Sequence, residues 1–174
     1  MHKKVKNVEI WDLYDENKQK TDIKHIRGNV IPDGFYHLVV NAWVKNSKGE
    51  FLITQRAANR PTFPNVYECV TGSVLSGEDG LDGSIRELKE EVGLDFQRKD
   101  GTIVFSKIRK EVNGKPYNDI LEVWLFEYDG EIDLKTATTD EVQKAVWLSK
   151  SEIKKLFDEK KLMQDNSYIF DLDI

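Results

Sequence analysis

Short runs with apolar residues on alternate positions recur along the chain, and two stretches carry a helical period instead. Val8–Tyr14 reads as a strand, Asp15-Glu16-Asn17 as a turn, and Lys18–Arg27 as the return arm of a hairpin. Gly28–Gly34 is a loop. His37–Val44, with Leu38, Val39, Val40, Trp43 and Val44, is the strongest strand, and Phe51–Gln55 follows it after Asn46-Ser47-Lys48-Gly49. Ala57–Asn65 holds two prolines and reads as a loop; Val66–Thr71 reads as a short strand. Glu78–Val92 is the clearest helix, with Gly93 placed to close it in a left-handed conformation. Thr102–Val112 and Ile120–Tyr128 are expected to form strands joined through Asn113-Gly114, and Val142–Leu148 a further strand. Ser151–Lys161 is amphipathic, with Ser151 as N-cap and Ile153, Leu156 and Phe157 on one face. Many strands and two separated helices predict an α+β fold with helices packed on a mixed sheet. No repeat divides the chain, so residues 1–174 read as one domain, residues 1–34 forming an N-terminal hairpin and loop and residues 35–174 the core.

The composition narrows the function. A 39% hydrophobic fraction supports a packed core, and a formal charge of −5 gives no global attraction to nucleic acid or to an anionic membrane. One cysteine, Cys69, excludes an internal disulfide framework and a multi-cysteine zinc site. No apolar run is long enough to span a bilayer, and no apolar signal region follows Met1-His2-Lys3-Lys4, so the cytoplasm is the expected compartment.

The chemistry concentrates on the first helix. Glu87, Glu90 and Glu91 stand at i, i+3 and i+4, on one helical face. Like charges at that spacing repel, so stability alone does not select them. Converging carboxylates are what a hard divalent cation such as Mg²⁺ requires, usually together with substrate phosphates. Lys89 lies off that face, and Arg86 is placed to hold one carboxylate by a bidentate contact. The loop Gly72–Gly77 is able to bring a backbone carbonyl to the same ion.

Gly72, Glu78, Arg86, Glu87, Leu88, Glu90, Glu91, Gly93 and Leu94 fill every fixed position of a longer signature: Gly, five residues, Glu, seven residues, then Arg-Glu-apolar-any-Glu-Glu-any-Gly-apolar. A chance match is below about one in 10⁸ per start position at ordinary residue frequencies. The segment resembles the box of the Nudix hydrolases. That resemblance implies an α/β/α sandwich around a mixed sheet and hydrolysis of a diphosphate linked to another group, with Mg²⁺ or Mn²⁺ as cofactor. It implies metal ligation by the Gly72 carbonyl, Glu90 and Glu91. Glu87 would be a ligand or the group that activates water, Arg86 would orient Glu87, and Glu78 would support the loop. Many such proteins add an acid from outside the box. Glu122, alternating with Leu121 and Val123, is the first candidate, with a solvent-facing strand residue as the other reading; Glu141 is the second candidate.

A second resemblance lies upstream. His37–Trp43, Thr54-Gln55-Arg56-Ala57 and Phe63-Pro64 are similar to the corresponding strands of type 1 isopentenyl diphosphate isomerase, which shares the fold but moves a double bond. The isomerase's cysteine position is Thr71 here, its following His is Ser73, and one of its two upstream His positions falls near Val30. The three box carboxylates are kept. These departures favour a hydrolase on an isomerase-like scaffold; the isomerase, and a non-catalytic nucleotide-binding sensor, are the alternatives. By the same resemblance Arg56 and Arg60 would contact the diphosphate, and His37 would be a residual metal or substrate contact, or else a structural hydrogen-bonding residue. The expected partner is a small-molecule diphosphate, with no nucleic acid polymer and no membrane; homodimers are common among resembling proteins. Cys69-Val70-Thr71-Gly72 fits poorly to the Phe-Pro-Gly-Gly run of the coenzyme A branch.

Overall fold

The computed structural model describes residues 8–112 and 115–174. The expected turn at Asn113-Gly114 lies outside the described residues. The chain runs β1 (Ile10–Tyr14), β2 (Lys20–Ile26), β3 (Tyr36–Lys45), β4 (Phe51–Arg56), β5 (Tyr67–Glu68), β6 (Val70–Ser73), α1 (Gly80–Val92), β7 (Thr102–Val112), β8 (Lys115–Glu127), β9 (Val142–Leu148) and α2 (Lys150–Asp158), then a 3₁₀ segment Gln164–Phe170.

Strand β3 is the hub. It pairs antiparallel with β1 and β6 and parallel with β8, the His37↔Asp119 to Lys45↔Glu127 register running almost its full length. β8 carries β7, and β4 carries β5 and β9. A strand buried on both faces must be apolar on both, which is why β3 reads as a near-continuous apolar run. Ala42 and Val44 join Leu52, Val70, Phe126 and the α1 residues Leu81, Leu88 and Val92 in one cluster. Trp43 faces the other way, with Phe51, Ile53, Leu121, Val123, Ile153 of α2, and Ile169. The mixed sheet thus has α1 on one side and α2 with the 3₁₀ segment on the other, the layered α+β arrangement that the sequence predicts.

Four elements differ from expectation in detail. The Val66–Thr71 strand is broken at Cys69, because β5 bonds to β4 and β6 bonds to β3; the chain changes partners there, and the cysteine at the break is fully buried. Helix α1 begins two residues late. Asp79 is its N-cap in a capping box with Asp82, which frees Glu78 to turn back toward the loop. The N-cap of α2 is Ser149, not Ser151, since only Ser149 has the acid three residues on, Glu152, that completes a capping box. Strand β8 begins at Lys115 and not at Ile120. Gly93 closes α1 as expected, at φ 73°, with its amide donating to the Lys89 carbonyl at 3.2 Å.

Candidate active site

Gly72 is not in the loop that the sequence predicts but inside β6, paired with Val40 of β3, and α1 returns past it. An ideal Cβ on Gly72 would lie 2.0 Å from the Glu87 carboxyl group, so the helix and this backbone meet at a distance only glycine permits. Gly72→Ala is therefore expected to displace the Glu87 side chain. Divalent-cation affinity should fall while the far-ultraviolet circular dichroism of the sheet and helices is unchanged; wild-type affinity in that variant would break the assignment.

Arg86 organises the acids. Its guanidinium donates to Glu78 at 2.8 and 3.2 Å, to Glu87 at 2.8 Å, to Glu90 at 3.1 Å and to the Ser73 carbonyl at 2.8 Å. Such forked, charge-assisted contacts fix geometry as well as charge. Glu91 is different. It is 6% exposed, and its carboxylate accepts no hydrogen bond among the described residues. Burial, with Glu87, Glu68 and Glu141 nearby, pushes its carboxyl well above the ordinary range. Burial also pushes Glu87 up to about 7, against the opposing pull of Arg86.

Two acids from outside the box reach this cluster. Glu68 of β5, 4% exposed, pairs with Arg56 at 2.6 Å. Glu141, whose charge raises both Glu87 and Glu91, pairs with Arg60 at 2.7 Å. The loop that carries Glu141 is tied to α1: Thr138 and Thr139 amides donate to the Glu90 carbonyl at 3.0 and 3.1 Å, satisfying a last-turn carbonyl that the helix itself leaves free.

Arg86, Glu87, Glu90, Glu91, Gly72, Arg56 and Arg60 are thus gathered in one region. Glu122 and His37 are not. Glu122 sits against Gly80 at the opposite end of α1, where it accepts from the Trp124 indole at 3.1 Å. Gly80 precedes Glu87 by seven residues, roughly 10 Å along the helix. Leu121 and Val123 do face the other, buried side, so the alternation holds; Glu122 and Gly72 both pair with Val40 of β3, and that intervening strand leaves Glu122 beside Gly80, away from Glu87. His37 is buried, stacks on Trp11 with ring centres 4.1 Å apart, and lies among Arg109, His25 and Arg27. Burial first, and then the neighbouring Arg109 and Arg27 guanidinium groups, hold its imidazole down at about 4. Glu68 escaped sequence reasoning; its one signal was a lone charge inside the apolar run Val66–Thr71.

The donor set suits a hard cation. Six carboxylates, Glu68, Glu78, Glu87, Glu90, Glu91 and Glu141, face three guanidinium groups, and Glu91 is a buried oxygen donor with no hydrogen-bond partner among the described residues. Among the described residues no three His, Cys, Asp or Glu side chains are already placed to hold a metal ion, and Arg86 is bonded to Glu87 and Glu90. Fold and site together define an α+β protein with a carboxylate-rich, arginine-flanked centre suited to phosphate chemistry.

The comparisons with known proteins agree. The NUDIX domain model matches residues 35–170. An uncharacterised Nudix hydrolase of Listeria innocua is 32% identical over 150 residues, covering 86% of this chain and 85% of the relative. An isopentenyl-diphosphate Delta-isomerase of Shigella boydii is 25% identical over 123 residues, covering 70% and 66%. The crystal structure of DR0079 from Deinococcus radiodurans superposes with a TM-score of 0.69 at 21% identity, over 88% of this chain and 91% of that one. The chain belongs to the Nudix family and, in general class, is a diphosphate hydrolase.

Proposed function

We propose that the chain acts as one domain and hydrolyses the phosphoanhydride bond of an organic diphosphate, with Mg²⁺ or Mn²⁺ held by the Gly72 carbonyl, Glu87, Glu90 and Glu91. The observation that carries this reading is Glu91, a buried carboxylate without a hydrogen-bond partner beside Glu87 and Glu68. Burial and the neighbouring acids penalise its ionised form, a penalty that a bound cation would offset. Bound there, the cation neutralises phosphate oxygens and lowers the pKa of the attacking water.

The chain's own residues do the rest. Arg86 holds Glu87 in place at the cluster, where its carboxylate would either ligate the cation or accept the proton of the attacking water. The water oxygen bonds to phosphorus as the anhydride oxygen leaves. Arg56 and Arg60 face the same acids and supply the cationic clamp for the diphosphate; Arg60 keeps its Nε buried and without a partner. Glu141 replaces Glu122 in this reading as the acid from outside the box.

The isomerase reading needs a usable thiol. Cys69 is fully buried, and burial pushes its thiol far up, which leaves almost no thiolate near neutrality.

The test is phosphate release from nucleoside, sugar, dinucleotide, coenzyme and isoprenoid diphosphates, with Mg²⁺ or with chelator, and with or without a coupling phosphatase. Cation-dependent release from one class is expected. Ligand binding without release would favour a sensor, and a moved double bond in the isoprenoid samples would favour the isomerase; either would overturn the proposal.

A further inference from the structure

The β1–β2 hairpin precedes residues 35–170, which match the family model, yet it reaches into the box. Asp12 of β1 is 3% exposed, an unusual place for a carboxylate. Its oxygens accept from the ammonium groups of Lys20 and Lys24 in β2. They also accept from the Ser76 hydroxyl at 3.0 Å and the Gly77 amide at 2.9 Å. The Ser76 amide donates to the Ile10 carbonyl at 2.8 Å, and Lys24 donates to the Ser76 hydroxyl at 2.7 Å. Gly77 has φ 93°, the left-handed turn that aims its amide at Asp12.

The opposite side of the same loop is held from within the box. Glu78 accepts from the Leu75 amide at 3.0 Å and from Arg86, which also binds the Ser73 carbonyl. Residues 73–78 are therefore clamped between two carboxylates, Glu78 from the helix side and Asp12 from the hairpin. An ion pair that served only the hairpin would involve Lys20 and Lys24 alone. Here Asp12 spends two of its contacts on the loop.

We propose that Asp12 is a positioning residue of the metal site: by fixing the loop at Ser76 and Gly77 it sets the adjoining Glu78, and through Glu78 the Arg86 guanidinium that holds Glu87 and Glu90. The proposal rests on the metal-binding reading above. It makes the hairpin part of the working enzyme, although it lies outside the family's matched segment.

The experiment uses the full chain. Mn²⁺ affinity is measured by calorimetry, and amide hydrogen exchange is followed over residues 73–79, for wild type, Asp12→Ala, Asp12→Asn and Lys20→Ala. Partners that orient ligands typically contribute 10–100-fold to metal affinity. Asp12→Ala should weaken Mn²⁺ binding about tenfold, at the lower end of that range, and speed exchange at residues 73–79, while β3 and β8 stay protected. Asp12→Asn, which keeps one acceptor oxygen, should recover part of both effects, and Lys20→Ala should leave both near wild type. Wild-type Mn²⁺ affinity in Asp12→Ala, or unchanged exchange at residues 73–79, would overturn the proposal, as would equal effects from Lys20→Ala. Should Asp12→Ala fail to fold, Asp12→Asn carries the same comparison. A wild-type chain that binds no Mn²⁺ would instead remove the metal reading and the proposal as stated, and the exchange arm would then decide alone whether Asp12 holds the loop.

Discussion

Glu91→Gln is expected to lower cation-dependent hydrolysis more than about 100-fold, beyond the usual loss from removing a mere outer partner of a metal ligand. The same change should raise the melting temperature of the metal-free protein at pH 8. The two effects have one cause. Glu91 is buried against Glu87 and Glu68 with no hydrogen bond among the described residues, so its ionised form is penalised by desolvation and by like charge. The glutamine amide has the same shape without the charge. It relieves that penalty and removes the ligand. Activity is read by phosphate release and stability by thermal unfolding in chelator. A variant that lost activity and also melted lower would point to a structural role for Glu91, and one that kept activity would remove it from the metal site.

The second large effect is a pH dependence of stability. In the folded chain burial raises Glu87 to about 7 from its ordinary 4.5, so the native state binds this proton more tightly than the unfolded state. Where the native state holds more protons, stability falls as pH rises. Glu87 therefore contributes fully below about 4.5, loses its contribution through the window up to about 7, and contributes nothing further above it. A shift of this size corresponds to roughly 3 kcal/mol. Glu91 and Glu68, also raised by burial, act with the same sign. Without divalent cation the melting temperature should thus be higher at pH 5 than at pH 8, and Glu87→Gln should show a shallower dependence. Added Mg²⁺ should restore the loss at pH 8, since a cation that binds the ionised carboxylates favours the native state by mass action. An identical pH profile for wild type and Glu87→Gln would refute the assignment.

The carboxylate pattern was legible because it is local. Glu87, Glu90 and Glu91 share a face through the period of one helix, and Gly93 ends that helix through its own backbone freedom. Short apolar runs likewise gave β3, β4 and β9. The break at Cys69 left no such mark, since it depends on which neighbour each half of the run bonds to.

The rest of the site required the tertiary structure. Asp12 and Glu141 lie far from the box along the chain and meet it only through loop contacts, although Glu141 was already the second candidate for the outside acid; Glu68, just before Gly72 in sequence, is brought in by the pairing of β5 with β4. Glu122 shows the same limit from the other side: its alternation was right, but β3 lies between β8 and β6, which leaves Glu122 beside Gly80 and not beside Glu87. For His37 the sequence left a ligand contact and a structural role both open, and the structure stacks it on Trp11 away from the cluster. The sequence by itself determined the box, the helix that displays it and the alternation of the strands, because each follows from bonds within a few residues. Tertiary structure alone decided which distant acids complete the cluster and how deeply it is buried, and burial is what moves its protons.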